Sequence, residues 1–194
     1  MRQMESSRAE RRPGGRTAET GRRIFDAALS LLVDGGLAAC TFQAVAERAG
    51  VARATLYRRW PDRASLVADA LAERLGNAIA VPDTGSLAGD LLALLSGLAA
   101  FLESPLGRAA IIAAAESGAE AGSARSNLWS HRLAAVGPLL DRAVARGEID
   151  AGADREALLA CAVGALYFRT LIQAAPLDED WLERIVEQTI RGSK

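Results

Sequence analysis

The sequence predicts an all-α protein in two parts: a small N-terminal head of three helices and a larger helical body, about nine helices in total. Three observations predict it. Half of the 194 residues are apolar, with alanine and leucine dominant, so a sizeable core can be buried. Apolar residues recur at helical spacing in run after run. Glycines and prolines fall between those runs, where they end helices.

Residues 1–16 are polar, basic and interrupted by Pro and Gly, which predicts a disordered arm. In "RIFDAALSLLVDGG", Ile24, Ala27, Ala28, Leu31 and Leu32 share one helical face. Thr20 is placed to cap this helix and Gly35-Gly36 to stop it. "TFQAVAERAG" predicts a second, shorter helix, capped by Thr41, with Val45, Ala46 and Ala49 inward and Gly50 at its end. "VARATLYRRW" follows almost at once. Two short helices joined by a tight glycine turn predict a helix-turn-helix over residues 17–63.

Pro61 closes the third helix and Asp62 is placed to cap a fourth, over 62–80, that connects head to body. Its stripe is Leu66, Val67, Ala70, Leu71, Leu75 and Ile79. "VPDTGS" at 81–86 is the clearest linker. Beyond it, helices are predicted at 87–103, 105–119, 124–146, 154–175 and 179–191, completing a body of residues 64–194.

The net charge of −1 hides an asymmetry. Residues 1–63 hold twelve arginines and seven acids, while residues 64–194 hold eleven basic and seventeen acidic residues. A basic head on an acidic body implies that the head meets a polyanion. In "GVARATLYRRWPDRASL" the first acid is Asp62. On a helical wheel Leu56 and Trp60 turn inward, while Ala54, Thr55, Tyr57 and Arg58 turn outward, with Arg53 and Arg59 long enough to reach around. A small, hydroxylated, cationic face suits a DNA major groove: Arg can pair bidentately with guanine, hydroxyls can donate to phosphate, and Ala54 permits close approach.

"TFQAVAERAGVARATLYRRWPDRASLV" closely resembles the DNA-binding domain of the tetracycline-repressor (TetR/AcrR) family of bacterial transcriptional regulators. The resemblance runs over residues 20–70, where the "DGG" helix end, "AVAERAGV", "TLYRRW" and the capped fourth helix occur in order. It implies a dimeric one-component regulator, a repressor released from a palindromic operator by a small molecule. It also implies DNA contacts: Thr41 to phosphate, Gln43 to a base edge, and Arg53, Ala54 and Thr55 in the groove. Tyr57 would bond phosphate, Arg58 and Arg59 bases or backbone, and Arg63 the flanking backbone. Two positions depart from the family's habit. Ala52 stands where Ser or Thr is frequent, and Ala44 where an acid is frequent, which removes local capping options. The "RRPGGR" arm either follows the minor groove or adds nonspecific charge.

In the body, "LLACAVGALYFRTLI" is apolar nearly all round and must be covered on more than one side. With "WLERIVEQTI", the family resemblance makes these two helices half of a four-helix bundle across a twofold axis. The expected interface residues are Leu158, Ala162, Ala165, Leu166, Trp181, Ile185 and Ile190. Ligand chemistry is less legible. "NLWSHRL" gathers Trp129, His131 and Arg132, while Glu116 and Arg169 are charges within apolar helices. With Phe101, Tyr167 and Phe168 they are candidates to line a largely apolar pocket for an unknown small molecule.

Other function classes lack support. No phosphate-cradling glycine loop, metal-spaced cluster or nucleophile motif is present, and His131 is the only histidine, so neither an enzyme nor a cofactor or metal is expected. A DNA-bending architectural protein would explain the head and leave the body unexplained. No apolar run reads as long enough to span a membrane, the N-terminus does not read as a secretory signal, and Cys40 and Cys161 suit two buried apolar sites in a reducing compartment. A cytoplasmic location is expected.

Overall fold

The computed structural model describes residues 13–78, 81–116 and 122–192, with backbone alone at 13–16, 77, 78, 122–125, 127–129 and 131. Helix α1 (Pro13–Ala39) starts earlier than the apolar periodicity implies. Residues 13–16, expected as the end of a disordered arm, form its first turn, and Thr20 lies inside the helix instead of capping it. Proline is suited to the first helical position, where its missing N–H has no partner to lose. The rest of the expected arm, residues 1–12, lies outside the described residues. The expected stop is a break: Gly35 and Gly36 leave helical geometry, Gly36 with φ 67°, before a last turn to Ala39.

Helix α2 (Phe42–Ala49) is capped as expected. The Thr41 hydroxyl accepts from the Ala44 N–H at 3.2 Å, and Gly50 ends the helix at φ 64°. Helix α3 (Arg53–Arg59) follows across a three-residue turn, and Ala52 supplies no side-chain cap. Asp62 caps α4 (Arg63–Ala78) by accepting from the Ser65 N–H at 2.7 Å. The head core gathers Ile24, Leu32, Val45, Leu56 and Trp60 with Leu66, Val67, Ala70 and Leu71 of α4. It also takes in Ala113 from the body. Cys40 sits in this core, and burial pushes its thiol up to about 11 against the pull of Arg63.

The body consists of α5 (Leu87–Glu103), α6 (Pro105–Glu116), α7 (Gly122–Ala145), α8 (Arg155–Phe168) and α9 (Glu179–Arg191). Between α5 and α6 the chain bends by 83°. The bend needs Gly107, where a Cβ would lie 2.0 Å from the Phe101 carbonyl oxygen. A π-helical stretch, Arg169–Gln173, extends α8 and ends at Ala174, which is left-handed at φ 49°. Helix α4 belongs to both parts: its first half is in the head core, and Leu75 is in the body core with Leu91, Leu95, Leu140 and Leu159.

The linker is pinned by one wholly buried acid, Asp90 on α5. Its Oδ1 accepts from the Thr84 N–H at 2.6 Å and the Thr84 hydroxyl at 2.8 Å. Its Oδ2 faces Arg146 at 3.5 Å and Arg142 at 3.8 Å. Arg142 also donates to the Pro82 carbonyl, and Glu148 accepts from the Leu87 N–H at 2.9 Å. The end of α7 thereby holds the linker and the start of α5.

Helix α8 corrects three expectations. Arg155–Gln173, 19 residues, is long and apolar enough by length and composition to cross a membrane. Its apolar residues are instead divided between two faces. Leu158, Ala162 and Leu166, expected at a dimer interface, face this chain's own core; Ala162 and Leu166 are fully buried there and Leu158 nearly so. Trp181, Ile185 and Ile190 of α9 are half-buried against that same core, and Ala165 is half-buried too. The outward face of α8 and its π-helical extension carries Ala157, Cys161, Gly164, Phe168 and Ile172, with Ile172 71% exposed. Cys161, expected to be buried, is therefore at the surface.

Candidate nucleic-acid interface

The helix-turn-helix presents its polar face outward. Leu56 is fully buried beneath α3, and Trp60 closes the helix with its indole N–H donated to Asp69 of α4 at 2.8 Å. Arg53, Ala54, Tyr57, Arg58 and Arg59 are exposed and Thr55 is half-buried. No acid lies in the first turn of α3, and Arg53 and Arg58 have no ion-pair partner among the described residues. Arg59 instead stacks over the Trp60 ring at 4.6 Å, which leaves it less free to reach out.

Tyr57 is held in place from α2. Its ring meets Phe42 edge-on, centroids 4.8 Å apart, and the residue stays 62% exposed. Thr41 has its oxygen lone pair engaged by the Ala44 N–H, which leaves its O–H free to donate. Gln43 is exposed but donates to Glu47 at 3.0 Å, a bond it must exchange to reach a base. Arg63 is exposed and bonds weakly to the Ala38 carbonyl at 3.5 Å.

Sequence reasoning missed Arg23. Its guanidinium donates to the carbonyls of Ala49 and, at 3.0 Å, Gly50, satisfying the open end of α2 and bracing the turn before α3. A Cβ at position 50 would lie 2.8 Å from the same guanidinium, so Gly50 serves both the turn and the brace. The signal was invisible in sequence because the pair is 27 residues apart.

The body contains a cavity of about 270 Å³. Leu75 of α4, Leu94 and Leu98 of α5, Ala114 of α6, Arg132, Leu133 and Val136 of α7, and Leu159, Val163 and Tyr167 of α8 line it. Of the expected pocket residues whose side chains are described, only Tyr167 is in its wall. Phe101 packs between the two cores, and Glu116 and Phe168 are exposed. Arg169 is committed elsewhere, donating to the Pro176 carbonyl at 2.6 Å, pairing with Asp178 and stacking on Trp181. The side chains of Trp129 and His131 lie outside the described residues. Arg132, the third member of that sequence cluster, faces the cavity. Burial lowers its pKa and raises that of Tyr167, and each partly offsets the effect on the other through charge.

The family model for "Tetracyclin repressor-like, C-terminal domain" matches residues 81–189, and that for "Bacterial regulatory proteins, tetR family" matches residues 24–70. This chain belongs to the TetR family. Among similar proteins, the HTH-type transcriptional regulator AqdR of Rhodococcus erythropolis is 34% identical over 142 residues, 72% of this chain and 68% of that protein. YdeS of Bacillus subtilis, another HTH-type regulator, is 29% identical over 192 residues, 97% of this chain and 95% of that one. The crystal structure of the TetR-family regulator SCO0332 superposes with a TM-score of 0.76 at 31% identity, covering 90% of this chain and 98% of that one. As a TetR-family member the chain is a DNA-binding transcriptional regulator and not an enzyme.

Proposed function

We propose that this protein is a cytoplasmic, ligand-responsive repressor that binds a palindromic operator as a homodimer and leaves it when a small molecule enters the body. The observation that carries the reading is the double membership of α4. The same helix holds Trp60 through Asp69 at one end and supplies Leu75 to the cavity wall at the other. A ligand that packs against Leu75 favours one placement of α4 over another, and α4 carries α3 with it. Such a ligand acts only through its differential affinity for the two placements. In a twofold dimer the recognition helices meet successive major grooves about 34–36 Å apart, so a small rotation of each head breaks the match.

The DNA contacts divide into readers and anchors. Gln43 and Arg53 can make paired hydrogen bonds to base edges, while Thr41, Tyr57 and Arg63 suit phosphate. Ala54 and Thr55 allow close approach, and Arg58 and Arg59 add charge along the groove. Arg53→Ala should cost about 1–3 kcal/mol and relax preference at one base position in each half-site. Tyr57→Phe should weaken binding to operator variants evenly with little change of salt slope. Arg63→Ala should weaken it evenly with a slope shallower by about one unit. A binding series over an operator recovered by selection from random DNA, at several salt concentrations, measures all three. Identical sequence profiles for Arg53→Ala and Arg63→Ala would overturn the division.

The dimer is assigned to the outward face of α8, where the small residues Ala157, Cys161 and Gly164 permit close helix approach and Phe168 and Ile172 supply apolar area. Ile172→Glu places two like charges near the twofold axis and should give a folded monomer by sedimentation at micromolar concentration, with far-UV circular dichroism unchanged. A variant that still sediments as a dimer would move the interface elsewhere.

A further inference from the structure

Among the described residues, the wall of the body cavity is hydrocarbon except at two side chains, Arg132 and Tyr167. They lie on different helices, α7 and α8, and close enough to sense each other's charge. Arg132 is half-buried and has no ion-pair partner among the described residues. Arg142, Arg146, Arg155 and Arg169 of the same body all have acids within reach. On its other side Arg132 borders an open groove that contains Asp69 and Glu73 of α4, and neither comes within ion-pair distance of it. A guanidinium drawn partly out of water without a counter-charge is unfavourable, and an anion placed against it in an apolar cavity recovers that loss with charge-assisted hydrogen bonds.

We propose that this cavity takes an apolar monocarboxylic acid, its hydrocarbon body against Leu94, Leu98 and Val163 and its carboxylate on the Arg132 guanidinium, with the Tyr167 hydroxyl as a second donor. The inference rests on the reading of the body as a ligand-responsive module. The charge count sets the class. One cation suits one negative charge, and a polyphosphate would leave charges unpaired in an apolar wall. A cationic ligand would meet Arg132 head-on, and a neutral one would desolvate it without recompense. The volume, about 270 Å³, sits just below the usual range of about 300–1,000 Å³ for small-molecule sites, which suits a medium-length acyl chain or a compact aromatic acid.

The test uses the full-length protein with decanoate and 1-decanol as matched probes, titrated by calorimetry and read again as release of the selected operator. Decanoate should bind at least about tenfold more tightly than decanol, a difference that corresponds to one charge-assisted contact. Arg132→Gln should bring decanoate down to the affinity of decanol, with decanol bound no more weakly than in wild type and ligand-free DNA binding as it was. Tyr167→Phe should weaken decanoate by a smaller factor. If Arg132→Gln fails to fold, Arg132→Lys, which keeps the charge, should retain most of the preference for decanoate. Equal binding of the two probes, or decanoate binding untouched in Arg132→Gln, overturns the carboxylate. If equal binding is accompanied by DNA release, the ligand-responsive reading survives. If neither probe binds while DNA binding is intact, the carboxylate proposal falls; if saturating a filled cavity with any apolar probe leaves DNA binding unchanged, the ligand-responsive reading falls with it.

Discussion

Leu166→Glu unfolds the protein instead of separating two folded copies. Leu166 is fully buried among the body's core residues, with Leu158, Leu159 and Ala162 of the same helix around it. Replacing it removes a packed leucine side chain, worth about 2–5 kcal/mol when cut to alanine, and adds an acid with no cation to meet it. The total exceeds about 4 kcal/mol, a large part of the stability of an ordinary domain. The expected observations are loss of soluble yield and of cooperative thermal unfolding. The contrast with Ile172→Glu is the decisive feature, because both residues lie on one apolar helix and its extension. A soluble, folded Leu166→Glu monomer would mean that this face of α8 meets a partner and not the core.

Asp90→Ala lowers stability by about 3 kcal/mol. The substitution leaves the Thr84 N–H and hydroxyl without their acceptor and leaves Arg142 and Arg146 facing each other without the acid between them. For a chain of this length the expected fall in melting temperature is about 6–12 °C. Burial raises the Asp90 pKa, but the two Thr84 hydrogen bonds and the charges of Arg142 and Arg146 outweigh it and hold the carboxyl below its ordinary value. A depressed acid contributes stability above its unfolded pKa of about 3.9 and loses it as pH falls through the folded value. Wild type should therefore keep this contribution at neutral pH and lose it only in acid below about pH 4, while Asp90→Ala is less stable at pH 7 and correspondingly less sensitive to that acid range. Thermal unfolding of both proteins from pH 7 to pH 3 measures it. A constant gap between the two curves down to pH 3 would show that the Asp90 carboxyl has the same pKa folded and unfolded, and a gap that widens on acidification would show that it is neutral in the folded state.

The head was nearly complete in the sequence because its determinants are local. Thr41 caps the helix that begins at the next residue, Gly50 turns the chain it ends, and Leu56 and Trp60 lie one turn apart on one helix. A period of 3.6 residues and a cap three residues away are both readable without knowing what the helix packs against. The body's helix boundaries were legible for the same reason. The start of α1 was misplaced because polar residues 13–16 carry no apolar period, although Pro13 is a suitable first residue.

What the sequence determined alone, then, is the set of helices, their order, and a cationic outward face on α3. What only the tertiary structure decided is which face of each body helix is inside. Helix α8 is apolar nearly all round, so its period carries no direction, and only the arrangement of α5, α7 and α9 shows Leu158, Ala162 and Leu166 to be core and Ile172 to be surface. The cavity is undetermined by sequence for a related reason. Its wall is assembled from five helices, and a leucine that lines a void has the same local pattern as one that fills a core. Arg132 and Tyr167 are 35 positions apart in the chain. Their meeting depends on how α7 lies against α8, a packing outcome that no local spacing encodes.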